Sequence, residues 1–584
     1  MCGIAGIVAP KGQSPDPALL ARLADALGHR GPDGRGEYLR DNVGMIQTRL
    51  AIIDLEGGRQ PIVDDGGRAI VANGEIYNYL ELRAELAHIR FATGSDCEPP
   101  LHLYAREGLA FVRHLRGMYA IAIHDPEQGR VVLARDPFGI KPLYVAEGPF
   151  GLAFASEPAA LVRAGLVAAR VDHQALNELL QLQFTCGADT IFAGIRRVLP
   201  GETLVVEDGR VVESRSLPAL PENGAERGDG ESLLERLDRV LMDSVDLHQR
   251  ADVPYGMFLS GGIDSSALLA MMTRLNPRPV LAFTAGFPGT GVHDEREHAR
   301  TLAQAMGARH VEVEFAPNDF WRLLPKVAAA MDDPAADYAC LPTYLLAERA
   351  RTEVKVILAG EGGDELFGGY GRYRGAMRPW PFAKAMRRSG TFDGLNVLRP
   401  APAGWRTRFA AAERAARRPH HRSRLQVAQA TDCADWLPND LLIKADRCLM
   451  HNGVEGRVPF LDLEMARFAF ALPDKWKVRG NTGKWLLRRW LERALPAARP
   501  FEKKRGFTVP VAEWIATRPE LAELVSRQPA VEAIADPAAV RNLFQSCDKR
   551  TGFACWTLLF YALWHRIHVD GTAPKGNVFE MLSA

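Results

Sequence analysis

Residues 255–266 read YGMFLSGGIDSS, a short apolar run followed by a turn of glycines and serines. Glycines let backbone N–H groups curl around an anion, while serine hydroxyls and a following helix N-terminus add donors and a favourable dipole. The pattern lacks the lysine of the GxxxxGK[ST] phosphate loop. The turn therefore predicts a phosphate-binding loop of another kind; the alternative is an ordinary glycine-rich connection between a strand and a helix.

Strand-like and helix-like runs alternate around this turn. A helical pattern follows at 267–275, and strand candidates lie at 280–284, 310–313 and 354–358, with a further helical segment at 298–306. Such alternation favours a doubly wound parallel sheet, in which ligands bind outside the carboxyl ends of the strands. We therefore expect an α/β doubly wound parallel-sheet domain in the second half of the chain.

A second glycine-rich cluster, GEGGDELFGGY at 360–370, follows the last of these strands. In a doubly wound sheet, Asp264 and Asp364 would then lie at the ends of different strands and line one crevice. Mg²⁺ usually takes one or two carboxylates together with phosphate oxygens. The pair predicts a magnesium site, against the alternative of two helix-capping aspartates.

The first part of the chain has a different pattern. Short strand-like runs alternate with Gly, Pro and Asp turns, and helical patterns are interspersed. The strand candidates are 4–8, 45–54, 69–72, 119–124, 131–135 and 152–155. This mixture favours an α+β domain of stacked sheets and helices, and the polar, glycine-rich stretch that follows at 218–230 predicts a linker.

Cys2 follows the initiator methionine, whose removal would leave a thiol and a free α-amine on one residue. The reference pKa of an α-amine is about 7.7–8.0, so this amine can accept the thiol proton directly or through water. Such a nucleophile needs no separate histidine. Taken alone, a cysteine at this position is also explained by chance.

Six ordered motifs accompany Cys2. They are CGIAGI at 2–7, HRGPD at 29–33, RLAIID at 49–54, NGEIYN at 73–78, GSDCE at 94–98 and RDPFGIKPLY at 135–144. Over about residues 2–200 this set resembles the class II glutamine amidotransferases, which are N-terminal-nucleophile hydrolases. The resemblance implies an α+β domain of sandwiched antiparallel sheets over 2–210 and a linker at 211–230. For 29–33 and 135–144 we expect architecture rather than chemistry.

The same resemblance implies roles that the chemistry of L-glutamine supports. Cys2 attacks the side-chain amide, and the Asn73 side chain and the Gly74 N–H stabilise the oxyanion. Arg49 takes the α-carboxylate bidentately, and two acids accept from the α-ammonium. The implied glutamine-binding residues are Arg49, Leu50, Ala51, Ile52, Ile53, Asn73, Gly74, Glu75 and Asp96.

The loop 260–266 is similar to that of the ATP pyrophosphatases, which cut ATP between its α- and β-phosphates, adenylate a substrate and release pyrophosphate. Further motifs narrow the resemblance to the glutamine-hydrolysing asparagine synthetases and extend it to about residue 570, giving a synthetase domain over 231–570. They lie at 333–344, 444–447, 455–462, 483–484 and 503–507.

By this resemblance, L-aspartate attacks ATP to form β-aspartyl-AMP, and ammonia then displaces AMP. Glu361 serves the amination as a base or as a gate for ammonia. Lys484 neutralises charge on the adenylate and pyrophosphate, against the alternative of a solvated lysine. Asp264 and Asp364 would bind Mg²⁺. The implied ATP-binding residues are Leu259, Ser260, Gly261, Gly262, Asp264, Ser265, Ser266, Ala285, Ala359 and Gly360.

Some segments depart from this resemblance. AADYACL at 335–341, Cys448 and Gly456 stand where other side chains are expected, and an Arg-, Ala- and Pro-rich insertion occupies 378–424. We expect this insertion to be solvated and partly helical rather than a nucleic-acid arm. The departures leave a second hypothesis open, an amidotransferase of the same architecture acting on a different carboxylic acid. A catalytically silent binding protein is disfavoured because Cys2 and the loop are intact.

The composition is compatible with an enzyme that acts on small molecules, and a local basic patch stays open. The 584 residues include 72 Lys and Arg against 71 Asp and Glu, so no overall field favours nucleic acid or an anionic membrane. No run approaches the roughly 18 apolar residues of a membrane span. The eight cysteines form no CxxC pair, so neither zinc nor a disulfide framework is predicted. We expect a cytoplasmic enzyme, and the resemblance implies a homodimer.

Overall fold

The computed structural model describes residues 2–222, 228–292, 294–379, 381–382, 384–400, 404–418, 421–502 and 509–583. Within these ranges seventeen strands form three sheets. The strands are β1 Gly3–Val8, β2 Gly34–Arg40, β3 Val43–Arg49, β4 Ile62–Val63, β5 Ala69–Ile76, β6 Gly117–Asp125, β7 Arg130–Arg135, β8 Tyr144–Gly148, β9 Gly151–Ala155, β10 Arg196–Arg197, β11 Glu202–Glu207, β12 Arg210–Ser216, β13 Tyr255–Phe258, β14 Leu281–Gly286, β15 Arg309–Glu314, β16 Val356–Leu358 and β17 Glu455–Arg457.

The helices surround these sheets. The α-helices are α1 Pro17–Ala26, α2 Tyr79–Glu85, α3 Pro99–Glu107, α4 Pro158–Arg163, α5 His173–Leu182, α6 Gly230–His248, α7 Ile263–Leu275, α8 Arg296–Ala305, α9 Pro317–Ala330, α10 Cys340–Ala350, α11 Gly363–Phe367, α12 Gly371–Met377, α13 Thr407–Ala416, α14 Arg424–Thr431, α15 Ile443–Met450, α16 Leu463–Ala471, α17 Asp474–Lys477, α18 Trp485–Ala494, α19 Val511–Ala516, α20 Leu521–Ser526, α21 Pro529–Glu532, α22 Pro537–Gln545, α23 Gly552–His568 and α24 Val578–Ser583. A π-helix spans Asp432–Leu442, and 3₁₀ turns span Gly28–Arg30, Gly108–His114, Pro459–Leu461 and Pro496–Ala498.

The first two sheets are antiparallel and stack face to face. Their strand orders are β10-β8-β9-β1-β3-β2 and β12-β11-β7-β6-β5-β4. One apolar core lies between them, joining side chains such as Ile4 and Met45 of the first sheet to Val71 and Leu133 of the second. The outer face of the first sheet packs on α1, α4 and α5, and that of the second on α2 and α3. The predicted fold of sandwiched antiparallel sheets is confirmed.

The third sheet is parallel, with the order β15-β14-β13-β16-β17. From β13 the chain runs through α7 to β14 and through α8 to β15, and it later places β16 on the other side of β13. The strand order therefore reverses between β13 and β16, which is where ligands bind in open α/β sheets. Helices cover both faces, so the predicted doubly wound domain is also confirmed.

The two domains share buried cores. Phe192 of the sandwich contacts Trp564 of α23 with ring centroids 5.5 Å apart. A second shared core joins Leu50, Ile52 and Ile53 to apolar residues of the second domain such as Leu237. This packing explains a wrong prediction. The strand predicted over 45–54 ends at Arg49, because the apolar residues after it face the other domain instead of continuing the sheet.

The insertion at 378–424 is partly helical, with α13 at its centre. The expectation that it is solvated is wrong in part, because Met386, Phe392, Val397 and Phe409 are buried. Met386 and Phe409 share an apolar cluster with Phe184 of the first domain. No helix among the described residues is long and apolar enough to cross a membrane.

Candidate active sites

The predicted nucleophile, Cys2, precedes β1 and is 7% exposed. Its Sγ accepts a hydrogen bond from Gln47 Nε2 at 3.1 Å, and its backbone N–H donates to Asn73 Oδ1 at 3.2 Å. Its carbonyl accepts from Arg30 Nε at 3.2 Å. Burial raises the pKa of the thiol, although the adjacent N-terminal charge opposes the rise. A base is therefore needed to form the thiolate at neutral pH.

Two predicted oxyanion donors adjoin Cys2 on β5. The carbonyl of the Asn73 side chain faces the Cys2 N–H, which leaves Asn73 Nδ2 buried without a hydrogen-bond partner. A buried donor without a partner is costly, so its presence indicates a ligand that accepts from it. At Gly74 a Cβ would overlap the Met118 carbonyl oxygen and the Tyr119 Cα of β6, so only glycine fits this close strand pairing.

The two acids predicted to bind the α-ammonium are both buried. Asp96 Oδ2 accepts from the Ile76 N–H at 2.7 Å, and burial raises the pKa of this carboxyl. Glu75 lies 3.2 Å from Arg457 Nη2, which comes from the other domain. Burial, with the charges of Glu455 and Asp96, raises its pKa well above the usual range. The ammonium-binding role of both acids stays a prediction.

The remaining predicted glutamine-binding residues follow β3. The Arg49 guanidinium donates to the carbonyls of Ile53, Asp54 and Leu55 at 3.3, 2.6 and 3.0 Å, so a substrate carboxylate would share its N–H groups with this loop. The Leu50 N–H faces the Cys2 thiol and favours its thiolate. The Ala51 N–H donates to Asp33, and the side chains of Leu50, Ile52 and Ile53 pack between the domains.

The predicted phosphate loop connects β13 to α7. Gly261 has φ +67°, a left-handed conformation that favours glycine. The Ser260 hydroxyl accepts from the Gly262 N–H at 3.2 Å and lies 3.1 Å from Ser265 Oγ. Ser266 Oγ is buried and has no hydrogen-bond partner. The turn thus presents backbone and hydroxyl donors at a helix N-terminus, as an anion requires.

The second loop packs directly against the first. A Cβ at Gly360 would lie 3.0 Å from Asp264 Cβ, and one at Gly363 would lie 2.5 Å from Asp264 Cγ. Glycines therefore allow the carboxyl ends of β13 and β16 to approach at the switch point. Leu259, Ala285 and Ala359, predicted to contact ATP, are buried at the carboxyl ends of the same strands and of β14.

Lys484 joins the two loops. Its Nζ binds Asp264 Oδ2 in a short contact and Asp364 Oδ1 at 2.8 Å. Lys484 is 7% exposed and has φ +56°, so the alternative of a solvated lysine is wrong. Burial raises the pKa of Asp264 to about 6, and the Lys484 ammonium opposes the rise. Despite its own burial, Lys484 has a raised pKa because two carboxylates surround it.

Asp264 Oδ1 is buried and has no hydrogen-bond partner. With Asp364 beside it, this free oxygen fits a divalent cation that arrives with a phosphate. Glu361 stands at the start of the second loop, and its Oε2 is also buried without a partner. The motif at 503–507 lies outside the described residues.

Gln47, whose amide reaches the Cys2 sulfur, was not among the predicted site residues. A signal was present, because Gln47 is a polar residue that directly follows the apolar Met45 and Ile46 in the buried strand β3. The motif at 29–33 joins the domains. Arg30 is fully buried and binds Asp446 through two bonds of 2.8 and 3.0 Å. In the segment 135–144, Arg135 donates only to backbone carbonyls among the described residues, which is an architectural arrangement.

These features are typical of a two-site enzyme, with a buried cysteine at the first strand of an antiparallel sandwich and a glycine- and serine-rich loop at the switch point of a parallel sheet. A family model for a glutamine amidotransferase domain matches residues 1–216, and one for asparagine synthase matches residues 236–566. The chain belongs to the asparagine synthase family.

Relatives extend along the whole chain. It is 34% identical to the "Putative asparagine synthetase [glutamine-hydrolyzing]" of Mycobacterium tuberculosis, with 98% of both chains covered. It is 32% identical to "Asparagine synthetase [glutamine-hydrolyzing] 1" of Bacillus subtilis, with 98% of this chain and 97% of the relative covered. "Amidase chry2" of Gibberella zeae is 32% identical over 64% of this chain and 60% of its own length.

Proposed function

We propose that the protein makes L-asparagine from L-aspartate, L-glutamine and ATP through a β-aspartyl-AMP intermediate, releasing AMP, pyrophosphate and L-glutamate. The observation that carries the proposal is the cluster of Lys484, Asp264 and Asp364 at the sheet switch point. It lies on the same chain as the Cys2 site, and one continuous apolar core joins Leu50, whose N–H faces the Cys2 thiol, to Leu259 and Ile263 beside the phosphate loop. The names of the relatives agree with this reaction.

In the glutaminase half, the Cys2 sulfur attacks the side-chain amide carbon of glutamine. With the initiator methionine removed, the Cys2 nitrogen becomes an amine that takes the thiol proton and passes it to the leaving ammonia. Asn73 Nδ2 and the Gly74 N–H stabilise the oxyanion, and each such donor contributes about 2.7–4 kcal/mol. Water then cleaves the glutamyl thioester, which releases glutamate and regenerates the thiol.

In the synthetase half, the loop 260–266 holds the ATP phosphates while a β-carboxylate oxygen of aspartate attacks the α-phosphorus and pyrophosphate leaves. Lys484 neutralises negative charge that develops in this step. Asp264 and Asp364 would hold Mg²⁺, which supplies further positive charge to the phosphates. Ammonia then attacks the acyl carbon, AMP leaves, and Glu361 takes the surplus proton through its unpartnered oxygen.

A second candidate is an amidotransferase of this architecture that acts on another carboxylic acid. Two observations favour it: the departure at 335–341 and the similar identity to a relative named as an amidase. The cytoplasmic location and the homodimer stay predictions, as does the absence of nucleic-acid and membrane partners.

The test is to incubate the purified protein with Mg²⁺-ATP and L-glutamine, with and without L-aspartate, and to measure pyrophosphate and L-asparagine. A Cys2→Ala variant is assayed with L-glutamine and with ammonium chloride. We expect pyrophosphate and L-asparagine only when aspartate is present. In Cys2→Ala, the glutamine-dependent formation of L-asparagine should fall by ~10³-fold or more, and ammonium chloride should restore it. Glutamate release without aspartate-dependent pyrophosphate would instead favour the second candidate.

A further inference from the structure

The π-helix Asp432–Leu442 carries a group of buried polar residues that neither half-reaction above uses. π-helical turns are rare and often occur at functional sites. The π-helix continues directly into α15, and Lys444 is the second residue of α15. Lys444 is close enough to Glu361 of the second loop for that charge to stabilise its ammonium. The π-helix therefore adjoins the place where the acceptor carboxylate would be activated.

Asp440 of this helix is 1% exposed, and neither of its carboxylate oxygens has a hydrogen-bond partner. The nearby Lys444 ammonium binds Asp337 Oδ2 at 2.8 Å instead. A buried carboxylate without donors is costly, so such a group is expected to persist where it binds a ligand. The group that satisfies it must be a donor, and a cation satisfies it best.

Arg387, which belongs to the insertion at 378–424, carries a positive charge near the Asp440 carboxylate. Its guanidinium stacks on the Trp436 ring with the Cζ 3.7 Å from the ring centroid. Among the described residues it has no carboxylate within ion-pair distance, and its Nε has no hydrogen-bond partner. Its φ is +44°, and its carbonyl accepts from Arg406 Nε at 3.2 Å, so a neighbouring side chain holds this strained backbone. Such strain is typical of ligand-binding residues.

Arg387 and Asp440 are neighbours without being partners. The guanidinium covers Trp436, and Asp440 follows Trp436 by four residues on the same helix, which is about one turn. A ligand that carries one carboxylate and one ammonium would satisfy both groups. We propose that Arg387 binds the α-carboxylate and Asp440 the α-ammonium of the acceptor, which is therefore an α-amino acid with a side-chain carboxylate.

The surroundings agree with this orientation. From Asp440 the polar residues continue through Lys444 to Glu361, so the side-chain carboxylate of the acceptor extends towards the ATP loop. Tyr338, in the segment 335–341 that departs from the family pattern, lies near Asp337, Lys444 and Asp440. The departure thus falls beside the same subsite. The inference rests on the proposed activation of a carboxylate by ATP at residues 260–266.

Two truncated analogues of L-aspartate test the two contacts separately. Succinate lacks the ammonium, and β-alanine lacks the α-carboxylate. The KM of L-aspartate and the inhibition constants of both analogues are measured from pyrophosphate release in the wild type, Arg387→Met and Asp440→Asn. Arg388→Met, an exposed neighbour, is the matched control.

We expect a crossed pattern. In Arg387→Met, the KM of L-aspartate and the inhibition constant of succinate rise by about 10- to 100-fold, whereas the inhibition constant of β-alanine stays unchanged. Only β-alanine lacks the α-carboxylate that Arg387 binds. In Asp440→Asn, the KM of L-aspartate and the inhibition constant of β-alanine rise, whereas the inhibition constant of succinate stays unchanged, because succinate lacks the ammonium. The KM of ATP stays the same in both variants. Misfolding cannot give this pattern, since it affects all three compounds alike.

If a variant binds all three compounds equally weakly, or binds all of them as well as the wild type does, the proposed subsite is wrong, although aspartate stays the acceptor. A wild type that is inactive with L-aspartate is next tested with L-glutamate, and glutarate and γ-aminobutyrate replace the analogues. The crossed pattern there supports the subsite and removes the asparagine proposal. The subsite is also wrong if pyrophosphate is released only with acids that lack the α-carboxylate or the α-ammonium, or if no acid causes its release.

Discussion

The two candidate sites differ in what holds their hydrogen-bond donors in place. Around Cys2 the donors belong to strands, with Asn73 and Gly74 on β5 and Gln47 on β3, and the ladders of two sheets fix their positions. At residues 260–266 the donors belong to a turn and to the first residues of α7, and Ser260 and Ser265 are held by each other and by the Gly262 carbonyl.

The charges differ in the same way. Lys484 and two carboxylates lie at the phosphate loop, whereas the donors to the Cys2 sulfur are the Gln47 amide and the Leu50 backbone N–H. A site built on sheet backbone has little freedom to move, so its chemistry depends on register and close packing. A site built from loops depends on the charges that hold them together. Substitutions at the two sites should therefore fail in different ways.

The largest effect is expected at Lys484. In Lys484→Met, two carboxylates face each other without the ammonium, and the charge on the transferring phosphoryl group is no longer neutralised. Acceptor-dependent pyrophosphate release should fall by about 10³-fold, while glutamate release from glutamine stays within about twofold. Arg489→Met, on the helix α18 that directly follows Lys484, is the control. Equal losses in both activities would remove the distinction between the sites.

The next largest effect is expected at the ion pair between Arg30 and Asp446, which joins the two domains. Asp446→Asn removes the charge that faces the fully buried Arg30, and Arg30 keeps only Glu157 as an ion-pair partner among the described residues. Removing one partner of a buried ion pair costs about 3–5 kcal/mol. We expect the free energy of unfolding to fall by about 3 kcal/mol in urea denaturation, since asparagine retains some hydrogen bonds. An unchanged midpoint would contradict this role.

Two glycines compare the sites directly. In Gly74→Ala the added Cβ meets the backbone of β6, which cannot move aside, so glutaminase activity should fall by about 10²-fold. In Gly363→Ala the obstacle is the Asp264 side chain, which can rotate, so we expect mainly a higher KM for ATP. Gly28→Ala is the control, because a Cβ there meets nothing within 4 Å. Similar losses in both assays would show that both sites are equally rigid.

The last prediction concerns the side chains that support the second loop. Lys477 donates to Gln429 Oε1 at 2.9 Å, and the Gln429 amide donates to the carbonyls of Glu365 and Leu366 at 2.6 and 2.7 Å. Burial lowers the pKa of Lys477 to about 7. The unfolded chain, in which a lysine has a pKa of about 10.4, therefore binds the extra proton between these values.

Stability should accordingly rise with pH from about 7 to 10 because of this group, by at most about 1.4 kcal/mol per pH unit. In Lys477→Met this contribution is absent, so the variant should gain less free energy of unfolding over that range than the wild type. Denaturation curves at several pH values measure the difference. Lys475→Met, exposed two residues earlier, should retain the wild-type slope.

Features that depend on residues close together in the chain could be predicted from the sequence. The glycines and serines of 260–266 specify a turn before a helix, and the alternation of strands and helices around it specifies the parallel sheet. The six ordered motifs after Cys2 likewise indicated the sandwich. The strand predicted over 45–54 failed after Arg49, because a local apolar pattern does not say whether it faces its own sheet or another domain.

Contacts between residues that are distant in the chain became visible only in the folded protein. Gln47 reaches Cys2 through strand register, Glu75 meets Arg457 across the domain boundary, and Arg387 lies over Trp436 although the insertion was expected to be solvated. Each of these contacts joins residues more than 40 positions apart in the sequence. Spacing along the chain does not encode such pairs, because burial in a shared core fixes them only after the domains have packed.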